Sequence, residues 1–137
     1  MKLSTKSRYA VSSLMELAIS GPNKPITLSD LAAKQGISLS YAEQLFAGLR
    51  EHKLVKGTRG PGGGFILARE PNTISIAEII EAVYERGSNR STNDETPSTD
   101  LWNRLDEQVD HFLENIDLAT AISVKSDNNE ALKLTAA

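Results

Sequence analysis

The 137-residue sequence predicts a mainly helical fold carrying one small β-hairpin. Three observations predict it. Apolar residues recur at helical spacing in several separate segments, bounded by Ser, Thr, Gly or Pro signals. Two short β-prone runs, LVKGT and FILA, flank a glycine-rich tip. A long stretch near the C-terminus repeats its apolar residues every three or four positions.

In chain order, residues 7–20 read as a helix, with Ala10, Val11, Leu14, Leu17 and Ala18 on one face and Gly21-Pro22 as its stop. Thr27, with Asp30 three residues on, opens a short helix that runs through Gln35 and closes at Gly36. Ser38 or Ser40 caps the next helix, and Ser40-x-x-Glu43 has the full capping-box pattern. That helix reaches about Lys53. Leu54–Thr58 and Phe65–Ala68 then read as strands around a turn. Ser75-x-x-Glu78 caps a further helix, whose Ile76, Ile79, Ile80 and Val83 share a face. GSNRSTNDETPSTD, residues 87–100, has no apolar side chain apart from Pro97 and reads as a flexible loop. Residues 101–118 read as a long amphipathic helix, the element extending to 122, with a disordered tail over 123–137.

Three short helices followed by a two-stranded ribbon form the winged helix-turn-helix arrangement. The second and third helices are joined only by GIS, a glycine-containing turn of the length such a pair needs. The domain reading is a winged helix-turn-helix unit over 1–86, the loop over 87–100, a dimerisation helix over 101–122 and the tail.

Composition narrows the function. There is no cysteine, which excludes a disulfide framework, thiol catalysis and thiolate metal sites. No run of about 18 apolar residues exists, so no membrane span is expected. MKLSTKSRYA has no apolar signal-peptide core, and a cytoplasmic location is the expectation. The net charge of −3 is unevenly spread. Residues 1–86 carry 11 Lys/Arg against 8 Asp/Glu, whereas residues 87–137 carry 4 against 10. A basic front half on an acidic chain points to a localised anionic partner.

The third helix has an apolar stripe of Ala42, Leu45, Phe46 and Leu49. Its opposite face presents Ser40, Glu43, Gln44, Ala47 and Glu51, with Arg50 at the flank. A recognition helix offers its N-terminal residues to base edges in the major groove. Gln can pair with adenine, Glu can accept from the cytosine amino group, and Ser suits either. Glu43 also repels phosphate, which penalises misaligned sites. The same residues suit an ordinary solvated helix face.

KGTRGPGGGF, residues 56–65, holds five glycines. Glycines let backbone N–H groups approach phosphates closely. Arg59 on such a tip can enter the narrow minor groove, and Lys56 and Thr58 can meet the flanking backbone. A nucleotide P-loop would need Gly-Lys-Ser/Thr opening a helix, and a dinucleotide loop a third glycine where Phe65 stands; neither pattern is present. A plain mobile hairpin turn is the alternative. Lys2, Lys6, Ser7, Arg8 and Tyr9 open the first helix and could clamp phosphate there; an ordinary charged terminus is the alternative.

In the long helix, Leu101, Leu105, Val109, Phe112 and Ile116 form a seam, with Trp102 and Leu113 beside it. Packing within the chain is one use of that seam and dimerisation the other; the length of the helix in so small a chain favours dimerisation. His111 lies at helical ligand spacing from Glu107 and Glu114, but matching carboxylates on other helices are not evident, so no metal site is expected. No nucleophile–base set stands out, and no enzyme activity is expected.

Over about residues 1–118 the chain resembles the Rrf2 family of winged-helix regulators. The motifs are MKLSTKSRYAV, GISLSYAEQLFAGLR, LVKGTRGPGGGFIL, ISIAEIIEAV and LWNRLDEQVDHFLENIDL. ISLSYAEQLF and RGPGGG are closest to its iron–sulfur-cluster (IscR-like) subgroup. The resemblance implies a homodimer with crossed long helices and a palindromic double-stranded DNA site. It implies recognition-helix roles for Ser38, Ser40, Tyr41, Glu43, Gln44 and Arg50. It implies wing contacts for Arg59 and Gly60, and phosphate contacts for Lys2 and Ser7. Cluster-binding members place three cysteines, and in the IscR-like subgroup a histidine, between the fourth helix and the long helix. Segment 87–100 has neither, so no cluster is expected. The expectation is a homodimeric DNA-binding repressor answering to an unidentified effector or protein partner. A winged-helix protein-interaction module is the alternative.

Overall fold

The structure is a computed structural model that describes residues 3–84 and 96–123. The order is α1 (Thr5–Ser20), α2 (Leu28–Gln35), α3 (Leu39–Glu51), β1 (Val55–Thr58), β2 (Gly64–Leu67), a 3-10 turn (Pro71–Thr73), α4 (Ile76–Val83) and α5 (Pro97–Glu114). The mainly helical fold with one antiparallel hairpin is as the sequence predicts. Val55 pairs with Leu67 and Thr58 with Gly64.

Local chemistry sets these bounds. α1 starts two residues before its expected position, because Ser4 and Ser7 form a reciprocal capping box. α2 begins after Thr27, whose hydroxyl accepts from the Asp30 N–H, and ends at Gly36 in the left-handed region. Ser38, not Ser40, caps α3: Ser38 is extended and accepts from the Tyr41 N–H at 3.1 Å. Ser40 already lies inside the helix, so the expected Ser40–Glu43 box does not form. The helix stops at Glu51, two residues before the expected end, where His52 caps it and Lys53 takes a positive φ of 58°. The Ser75–Glu78 box of α4 forms in full.

The core lies where α1, α3 and α4 converge. Leu14, Leu45, Leu49, Ile74, Ile79 and Leu118 are fully buried in it. Burying a leucine or isoleucine side chain contributes about 1.5–3 kcal/mol, so this cluster outweighs any cap. The wing is tied to the helices by a pairing that periodicity does not reveal. Ile26 donates to the Phe65 carbonyl at 3.1 Å and accepts from the Phe65 N–H at 2.8 Å. Gly64 permits this approach, since a Cβ there would lie 2.6 Å from the Ile26 carbonyl carbon.

The C-terminal region departs from the sequence expectation. Residues 97–100, read as loop, are the first turn of α5: Thr96 caps it and Pro97 occupies the first turn. The helix ends at Glu114, not at 118 or 122, because the chain turns at Asn115 to pair with the start of α4. Ile76 donates to the Ile116 carbonyl and Leu118 donates to that of Ile74, making a short antiparallel bridge. Asp117 then accepts from the Thr120 N–H at 2.7 Å and opens a helical stretch over 118–123. The expected loop over 87–95 and tail over 124–137 lie outside the described residues.

Candidate nucleic-acid interface

α3 turns its apolar stripe inward. Ala42, Leu45, Phe46 and Leu49 are each at most 3% exposed. With that stripe fixed, the helical period places Ser40, Glu43, Gln44, Ala47 and Arg50 outside, and all five are exposed. The shift of the cap to Ser38 leaves the Glu43 carboxylate free of a capping role. Ser38 itself is exposed, with its hydroxyl accepting the Tyr41 N–H. Tyr41 is half-buried and stands edge-on to Tyr9 of α1, ring centroids 6.0 Å apart. It therefore braces the start of α3 against α1.

The wing tip projects from a closed base. The Thr58 hydroxyl donates to the Gly64 carbonyl at 3.2 Å and accepts from the Gly64 N–H at 3.1 Å. The Thr58 hydroxyl, expected at the phosphate backbone, thus also closes the base of the hairpin. Beyond it, Arg59, Gly60, Pro61 and Gly62 are exposed, and Lys56 is exposed on β1. Gly60 and Gly62 have φ of 100° and 74°, a region that side chains disfavour. A Cβ on Gly63 would sit 2.5 Å from the Thr58 carbonyl oxygen, so the turn also needs glycine for space. Among the described residues, no carboxylate pairs with Lys56 or Arg59.

The two elements meet in a notch. Leu28, Glu43, Phe46, Ala47, Arg50 and Phe65 line a groove of about 190 Å³ between α3 and the wing. Arg50 holds its guanidinium over the Phe65 ring, 5.5 Å from the centroid. Phe46 packs against the same ring at 4.9 Å. Sequence reasoning missed Phe65, because an aromatic in a strand reads only as core.

At the N-terminus, Lys2 and Ser7 are the two expected phosphate-contacting residues. Ser7 is 2% exposed, and its hydroxyl donates to the Ser4 carbonyl and accepts from the Ser4 N–H. Its hydroxyl is therefore enclosed within the cap. Leu3, Ser4, Thr5 and Arg8 are exposed there. Lys2 lies outside the described residues.

α5 has no buried residue. Leu101, Trp102, Leu105 and Phe112 are exposed, Phe112 at 62%. Val109, Leu113 and Ile116 are half-buried, and the last two pack on the chain's own core. The expected seam is thus divided: its C-terminal end anchors the helix and the remainder faces outward. Among the described residues, no helix is long and apolar enough to cross a membrane.

The family model Rrf2, described as an iron-dependent transcriptional regulator, matches residues 3–123. An HTH-type transcriptional regulator of Azotobacter vinelandii, ORF2, is 42% identical over 142 residues, covering 98% of this chain and 86% of the relative. Among solved structures, IscR of T. potens superposes with a TM-score of 0.76 at 34% identity, covering 91% of this chain and 88% of that one. CymR of B. subtilis, the global cysteine regulator, gives a TM-score of 0.76 at 33% identity, covering 90% and 98%. The word iron in the family description is tested by the donor set. The chain has no cysteine, and among the described residues no three His, Cys, Asp or Glu side chains gather where they could hold a metal ion. The residues present do not fit a thiolate-held cluster.

Proposed function

The chain belongs to the Rrf2 family and is a DNA-binding transcriptional regulator, and from that premise we propose that it is a homodimeric repressor of a palindromic operator that works without an iron–sulfur cluster. Relatives and structural neighbours are regulators rather than enzymes.

One observation carries the reading of the site. The outer face of α3 presents Ser40, Glu43 and Gln44 exposed, beside a wing whose tip projects Arg59 beyond its last hydrogen-bonded pair. The helix N-terminus enters the major groove, where Ser40, Glu43 and Gln44 read base edges. Arg59 enters the adjacent minor groove and reads its width, with Gly60 against the backbone. Lys56, and Lys2 ahead of α1, meet phosphates. Ser38 and Tyr41 shape the start of α3, and Arg50 faces the strand that runs between the grooves.

The exposed Leu101, Trp102, Leu105 and Phe112 support a dimer in which α5 packs on its copy. Paired half-sites then lie about 10–11 bp apart, or a multiple of that. A dimer seated there blocks access to the duplex, which is repression at its simplest. A DNA partner supports the expected cytoplasmic location. The missing cysteines support control by an effector or protein partner in place of a cluster.

Selection of bound duplexes from random DNA, followed by titration across salt, tests the reading. A palindromic consensus and a steep loss of affinity with salt are expected. Salt-insensitive binding, or binding without sequence preference, would refute it. Anaerobically purified protein that binds the operator should have no visible iron–sulfur absorption; such bands would refute the cluster-free state.

A further inference from the structure

The wing must hold one angle to α3 if both are to enter their grooves together. Four pieces of chain meet at the residue that can fix that angle. The Phe65 backbone pairs with Gly57 across the hairpin and with Ile26 ahead of α2. Its ring rests on Phe46, which is 3% exposed and fixed in the body of α3. Arg50, near the end of the same helix, lies over that ring. Gly57 makes room for this cation, since a Cβ there would be 3.2 Å from the Arg50 Nη2 atom. Arg50 has no carboxylate partner among the described residues, so the ring is what orients it.

We infer that Phe65 is the positioning residue that sets the angle between α3 and the wing, and so selects which minor-groove step Arg59 meets, without itself touching DNA. This rests on the two-element reading proposed above. The Phe46 ring buttresses Phe65 from within and the Arg50 guanidinium covers it from outside, so it cannot rotate away without losing both contacts. A tilt that carries the tip by about 3.4 Å along the duplex moves Arg59 by a whole base pair. A residue at the pivot thereby governs specificity at a position it does not contact.

The test uses the full chain carrying Phe65→Leu or Phe65→Tyr, each with Arg59 present and with Arg59→Ala. Phe65→Leu is expected to blur or shift base preference at the wing-read positions while the α3-read positions stay sharp. It should cost about two- to tenfold in affinity when Arg59 is present and under about twofold when it is absent. Phe65→Tyr should restore wild-type preference. Equal loss in both backgrounds with unchanged preferences would overturn the inference, because that is what a merely structural residue gives. A second arm needs no DNA. Amide exchange across 57–64 should quicken in Phe65→Leu, and in Arg50→Met should Phe65→Leu not fold, while α1 and α3 stay protected; unchanged exchange overturns the inference. Wild-type protein that fails to discriminate between duplexes would refute the DNA reading, and the exchange arm would still judge the pivot.

Discussion

Gly48 of α3 and Ala82 of α4 touch backbone to backbone: a Cβ on Gly48 would lie 2.5 Å from the Ala82 carbonyl oxygen. The neighbour is main chain, so no rotamer change relieves the clash. Two effects oppose each other in Gly48→Ala. Alanine gains about 1 kcal/mol in helix propensity over glycine. Overpacking costs about 1–3 kcal/mol, and more where backbone must move. The clash should win, lowering thermal stability by several degrees and displacing α3. Calorimetry beside an operator-binding assay checks both; a stabilised variant with intact binding would show that the helices can part freely.

The wing turn should respond differently. Gly63→Ala forces a Cβ into the Thr58 and Gly60 carbonyl oxygens, at 2.5 and 2.9 Å. The tip lies beyond the last strand pair, so the helical core does not feel the change. Unfolding midpoints should move little, while affinity falls and selectivity at the minor-groove position flattens. A variant that unfolds early would place the tip inside the cooperative core.

Sequence legibility followed how local each signal was. The Ser75–Glu78 box was readable because both halves lie within four residues and use the expected types. The Ser4–Ser7 box was missed because a serine replaces the usual acidic or amide partner. Pro97 behind Thr96 is a helix-start signal, hidden by the polar run around it. The Ile26–Phe65 and Ser75–Asp117 bridges had no legible signal, since one bridging pair has no periodicity and depends on tertiary placement. The face of α3 was readable from its apolar stripe. The notch of Phe46, Arg50 and Phe65 was not, because it joins residues from two elements.

Glu78 makes the α4 cap pH-dependent. Partial burial pushes its carboxyl up, but the Ser75 N–H, the Arg69 guanidinium and the Ser75 hydroxyl outweigh that and hold it below the ordinary value. A lowered native value means that the stabilisation is present above the unfolded value of about 4.3 and is lost as pH falls through the native one. The carboxylate is 45% exposed, so the effect is small. Glu78→Gln should flatten stability against pH between about 5 and 3, measured by urea midpoints. An unchanged slope would assign the acid sensitivity to other carboxylates. Ser75→Ala should cost about 1 kcal/mol even at neutral pH.

Two residues of the C-terminal region separate folding from assembly. Leu118 is fully buried and belongs to the chain's own core, whereas Phe112 is 62% exposed on α5. Leu118→Ala should cost about 2–5 kcal/mol through lost burial and the cavity left behind. Phe112→Glu removes no buried contact of the chain, but puts a charge on the face proposed to pack against a second copy. Such a charge would be desolvated without a partner in a dimer and solvated in a monomer, so the equilibrium moves to monomer. Sedimentation velocity should then show a folded monomer with unaltered circular dichroism. Its operator affinity should drop steeply, because the second half-site no longer binds at high effective concentration. If Phe112→Glu stays dimeric, the pairing surface lies elsewhere. If Phe112→Glu unfolds as Leu118→Ala does, α5 is part of the monomer core and its apolar face needs another explanation.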